Sequence, residues 1–86
     1  MKMQIVSIFD RAAKLYSRPA FVQSRAAAVR SFGDEVRTVR ENNDLNKHPG
    51  DFELTLIGEF DDETGTLIPI TPERICYGLD FVTLTN

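Results

Sequence analysis

Between residues 11 and 25 the chain sets four cations, Arg11, Lys14, Arg18 and Arg25, among two aromatic rings, Tyr16 and Phe21. Cations that hold phosphates beside rings that stack on bases are a recurring means of gripping a single nucleic-acid strand. The chemistry expected of this segment is electrostatic positioning of a phosphate backbone, with stacking wherever Tyr16 or Phe21 is exposed. If both rings are core residues instead, the same cations form a basic face for a protein partner.

Nucleophilic catalysis asks for more than this sequence offers, because it needs a nucleophile held by a base that a third group orients. The single histidine, His48, sits in the loop Lys47-His48-Pro49-Gly50, and the single cysteine, Cys76, in an alternating apolar pattern. They form a catalytic pair only if the fold brings them together in a cleft. Taken separately, Cys76 reads as a small buried hydrophobe and His48 as a loop residue. Asp61-Asp62-Glu63 offers carboxylates to a hard cation, but the spacing is not that of a calcium loop, and Thr64-Gly65 completes a solvated hairpin turn. Zinc-ligand spacing, a phosphate-cradling glycine loop and a dinucleotide fingerprint are missing. No catalytic residue, metal ligand or cofactor is assigned, and the chain is expected not to be an enzyme.

Charge divides the chain in two. Residues 1–40 carry eight of the ten Lys and Arg against three acids, a net +5, whereas residues 41–86 carry two against ten, a net −8. The pI of about 5.0 therefore hides a basic half, the kind of asymmetry that points to a polyanion or a complementary partner. Not all of these cations are free. Arg30, Asp34, Arg37 and Glu41 recur at helical i+3 and i+4 spacing and read as a neutral ion-pair ladder on a solvated face. Arg11, Lys14, Arg18 and Arg25 are left without local acids.

The elements that must carry these residues fit one domain, residues 1–86, of a class too apolar at 42% hydrophobic to be disordered. A chain this short buries only roughly 60–65% of its unfolded surface, so a homodimer is expected as a supplement to the small core. No run approaches the ~20 apolar residues of a membrane span. The opening MKMQIVSIFD is interrupted by Gln4, Ser7 and Asp10 and is not expected to be a signal peptide, and a lone cysteine suits a reducing cytoplasm.

Met3, Ile5, Val6, Ile8 and Phe9 form a nearly continuous apolar run that predicts a central strand. Asp10 to Ala13 breaks it, and Lys14-Leu15-Tyr16 returns as a short strand ended by Pro19. Ser24 is an N-cap for a helix over about residues 25–41, with Val29, Phe32, Val36 and Val39 as its apolar stripe. Phe52, Leu54, Leu56 and Phe60 alternate with polar residues as a half-buried strand, and Asp61 to Gly65 turns it into a second strand through Leu67-Ile68-Pro69-Ile70. Pro69 marks that strand as an edge or a bulge. Ile75, Tyr77, Leu79 and Phe81 alternate in a tail, Arg74 to Thr85, that can add a last strand or reach a neighbouring molecule. The fold class is α+β, one amphipathic helix on an antiparallel sheet of three to five strands.

Four pieces in order, IVSIFDRAAKLYSRPAF, AAAVRSF, HPGDFELTLIGEFDDETG and the following IP, resemble the small non-structural protein of gokushoviruses, single-stranded DNA phages of the microvirus family. The strand, acidic turn and glycine after His48-Pro49 are the most specific part. The resemblance implies a phage protein made in the cytoplasm of an infected bacterium, DNA-binding or active in single-stranded genome synthesis, with no catalytic residue to carry over. The acidic balance departs from a protein that packages DNA by neutralising it. The expected partners are single-stranded DNA or a host or phage replication protein, with no membrane contact. The alternative is an interaction module that pairs its oppositely charged faces with another copy or another protein.

Overall fold

The computed structural model describes residues 1–82. Its order is β1 (Lys2–Asp10), β2 (Leu15–Tyr16), β3 (Ala20–Val22), α1 (Arg25–Arg37), α2 (Asp44–Lys47), a 3-10 turn (Pro49–Asp51), β4 (Phe52–Asp61), β5 (Thr66–Tyr77) and a second 3-10 turn (Gly78–Phe81). The result is an α+β fold, one main helix on a curled antiparallel sheet. The apolar run of β1 takes the central position: β4 pairs along one side, while β2 and β3 share the other. Pro19 separates β2 from β3, and Ser17 closes the gap by accepting from Ile8 N at 2.9 Å through its hydroxyl and from Ser7 Oγ at 2.7 Å through its carbonyl.

Alternation decides which face is which, since paired residues of an antiparallel sheet project to the same side. Val6 and Ile8 of β1 lie opposite Leu56 and Leu54 of β4, and Ala28, Phe32 and Val36 of α1 close over them as the buried cluster. Phe32 is 4% exposed, so truncating it to alanine removes about 3–5 kcal/mol. On the opposite side lie Met3, Ile5, Ser7 and Phe9, and α1, α2 and both 3-10 turns pack on the helix side.

The hairpin after β4 forms as its turn chemistry predicts, with Gly65 at φ +72°. Its second strand differs from the expectation. β5 runs without interruption to Tyr77, absorbing Pro69 and Pro72 where the register shifts between Leu56 and Gly58. The residues after Tyr77 do not extend the sheet but turn under α1, and the part of the expected tail strand beyond Val82 lies outside the described residues. β3 was not anticipated, because three residues after a proline carry no legible period.

α1 also stops four residues early. Its N-terminus is as expected: Ser24 accepts from Ala27 N at 3.1 Å. At the other end Thr38 leaves the helical conformation and its hydroxyl donates to Asp34 O at 2.7 Å. Asn43 donates to the carbonyls of Glu35 and Thr38 at 2.9 and 2.8 Å, and Asn46 to that of Val36 at 2.9 Å. These amides satisfy carbonyls that a continuing helix would have used. Val39 is therefore 84% exposed rather than part of the stripe. Glu41 falls outside the helix, so the expected ladder does not form; Glu35 pairs with Arg40, and Arg37 lies over the Phe81 ring at 5.3 Å.

Candidate nucleic-acid interface

The face of the sheet turned away from α1 is organised by one transverse rung. Tyr16 of β2 pairs with Phe9 of β1, Phe9 with Glu53 of β4, and Glu53 with Tyr77 of β5. Three strand spacings put the ends of the rung roughly 14 Å apart. The Phe9 and Tyr16 rings meet at 4.6 Å between centroids, with Tyr16 48% exposed. At the other end two guanidinium groups stand against the Tyr77 ring, Arg74 at 4.3 Å and Arg11 at 5.7 Å from its centroid.

Arg11 reaches this position because the turn after β1 is built by its own residues. Asp10 Oδ1 accepts from the amides of Ala12 and Ala13 at 3.0 and 3.1 Å, and Lys14 N bonds Asp10 O at 2.7 Å with Lys14 in the left-handed region at φ 60°. Arg11 N bonds Asp51 O at 2.7 Å and its side chain donates to the Gly50 carbonyl. Arg74 is held from below, its guanidinium 3.8 Å from Glu53, whose side chain is only 12% exposed.

Away from the rung the same face becomes apolar. Phe21 pairs with Ile5, and its ring meets Phe60 edge-on at 5.5 Å. Ile5, Phe21, Ile57, Leu67 and Pro69 line a groove of 330 Å³. It leads toward the acidic hairpin tip at Asp61 to Glu63.

The six residues singled out by sequence are thus divided. Arg11 and Tyr16 lie at the basic end of the open face, with Lys14 in the adjoining turn; Phe21 shares the face but sits four residues further along β1. Arg18 lies on the helix side, at the rim of a pocket it shares with Ala28, Phe32 and Glu35. Arg25, expected to lack a local acid partner, stands 3.7 Å from Glu73, which a reading of local spacing could not see across 48 residues. Arg74 and Tyr77 were missed, since only the strand register carries them to Arg11.

Cys76 pairs with Leu54 and packs against the core, and burial pushes its thiol up to about 11. His48 is exposed after α2, and no hydrogen bond joins it to Cys76 among the described residues. The described residues hold no group of three or more metal-ligating side chains, and no helix among them is long and apolar enough to cross a membrane.

A small α+β sheet protein with one aromatic and basic face is the class these features define. The chain belongs to the family described as Phage ORF5 protein, whose sequence model matches residues 3–81. It is similar to Protein ORF5 of Chlamydia phage 1, a gokushovirus, at 36% identity over 72 residues, 81% of this chain and 75% of the relative. The resemblance drawn from the four sequence pieces is upheld at the level of a small gokushovirus phage protein. No solved structure matches the chain.

Proposed function

We propose that this phage protein is a non-enzymatic, single-strand DNA-binding accessory of genome synthesis, working in the cytoplasm of the infected cell. The observation that carries the reading is the open sheet face. It presents Tyr16, 48% exposed, with Arg11 and Lys14 beside it and every helix on the other side. Bases stack on exposed rings without regard to sequence, while the cations hold phosphates.

Titration of a fluorescent single-stranded oligonucleotide at several salt concentrations tests this. Three cations near the open face, Arg11, Lys14 and Arg74, each release about 0.7 of a counterion on a single strand, so the slope of log K against log salt is expected near −2. Tyr16 and Tyr77 are the only tyrosines and tryptophan is missing, so in Tyr77→Phe all tyrosine emission comes from Tyr16. Oligo(dT) is expected to quench it. A parent protein that fails to bind at low salt, where exposed charges act most strongly, overturns the reading.

A second reading, self-association, is favoured by the apolar groove, where Leu67 remains 60% exposed. It concerns the opposite end of the face.

A further inference from the structure

We infer that Arg74, held over the Tyr77 ring beside Arg11, is a phosphate-binding residue, and that a bound strand crosses the sheet along the rung Tyr16–Phe9–Glu53–Tyr77 rather than running down β1 toward Phe21. The inference rests on the proposed DNA-binding reading and names the path that reading leaves open.

Two directions lead away from Tyr16 across the open face, and charge separates them. Along β1 the strand would enter the groove of Ile5, Ile57, Leu67 and Pro69, whose lining has no cation, and would approach Asp61, Asp62 and Glu63, where the terminal ammonium stands 2.8 Å from Asp62 and 3.1 Å from Glu63 and Lys2 lies opposite Asp61. A phosphate backbone finds no cation in the groove, and the two cations beyond it already stand beside three carboxylates. Across the rung it meets Arg74 and Arg11 on one ring, 4.3 and 5.7 Å from its centroid. Tyr77 acts as a positioning residue: its ring attracts both guanidinium groups by cation–π interaction.

Two acids, Asp80 and Glu53, stand beside this cluster. Asp80 uses Oδ2 to accept from Tyr77 N at 2.8 Å. Glu53 is the one that competes. It lies in the rung itself and pairs with Arg74 at 3.8 Å, so a phosphate takes over a guanidinium that Glu53 partly occupies. Arginine suits the exchange because its fork of donors can serve a carboxylate and a phosphate together.

The test measures oligo(dT) binding against salt for the full chain and four variants. Arg74→Gln is expected to flatten the slope by about 0.7, one phosphate contact on a single strand. Arg74→Lys keeps the charge and keeps the slope, which a purely structural role for the guanidinium would not predict. Glu53→Gln is expected to raise affinity, although it breaks the same ion pair that Arg74→Gln breaks. Phe21→Ala is expected to leave affinity within about twofold of the parent, whereas loss of a stacked ring lowers it about fivefold or more. A parent slope in Arg74→Gln, or loss of binding in Phe21→Ala, overturns the crosswise path while leaving the DNA-binding reading in place. A parent protein that does not bind removes both.

Discussion

The Phe81 ring lies so close to the backbone of Gly33 that a Cβ there would stand 2.6 Å from its Cδ1. Glycine in mid-helix normally costs roughly 1 kcal/mol relative to alanine. Here it makes room for the turn that follows β5. Phe81 meets Phe32 edge-on at 5.9 Å, so the last described element closes the open end of the core. Gly33→Ala is expected to lower the melting temperature in spite of its better helix propensity. The double variant Gly33→Ala, Phe81→Ala is expected to lose less than the two single losses combined, because removing the ring relieves the clash that Gly33→Ala creates. Thermal melts of the four proteins measure this.

Asn43 is 6% exposed and serves two carbonyls at the end of α1. Asn43→Ala takes the amide donor from the part-buried Thr38 carbonyl and leaves Glu35 O with Thr38 N alone, and is expected to destabilise the fold by about 1–3 kcal/mol. Asn43→Asp, nearly the same shape but without the amide donor, is expected to be at least as harmful. Urea unfolding with a constant m-value checks both.

Cys76 supplies a pH-dependent expectation. Its thiol is raised from 9.0 to about 11, first by burial and then by Asp80, so the folded protein holds this proton more tightly than the unfolded chain. The associated stability is complete below pH 9 and is lost as pH rises toward 11. Melting temperature against pH is expected to fall across that window more steeply in the parent than in Cys76→Ala. At pH 8 the native thiol is expected to react with iodoacetamide about a hundredfold more slowly than in urea, since the thiolate is the nucleophile. Rapid native alkylation would reopen a catalytic role for this residue.

Legibility in the sequence followed the range of the interactions. Phe52, Leu54 and Leu56 announce a half-buried strand because period-two alternation is local, and Ser24 announces the start of α1 because an N-cap bonds only three residues ahead. The end of α1 was misplaced because its stop signals, Asn43 and Asn46, act from outside the helix on carbonyls eight and ten residues back. Val39 kept the helical spacing, but spacing carries no information about a donor arriving from a later loop. The site shows the same limit. Arg11 and Tyr16 are five residues apart in sequence and read together, whereas Tyr77 joins them only through three successive register pairs. Arg25 was misjudged for the matching reason, its acid being on β5.

The groove around Phe21 supports the final expectation, self-association through the end of the open face that the DNA path does not use. Leu67 is 60% exposed on β5, an edge strand whose outer backbone groups have no partner strand among the described residues. Pro69 and Pro72 interrupt that edge, which discourages continuous strand pairing and leaves side-chain packing in the groove as the better contact. A second copy related by a two-fold axis would set the same groove residues against each other, so that both contacts are equivalent. Light scattering is expected to report a dimer at high micromolar concentration, with Leu67→Asp shifting it to a monomer without loss of the folded circular-dichroism spectrum. A parent protein that stays monomeric at that concentration would remove the dimer and leave the groove without an assigned occupant.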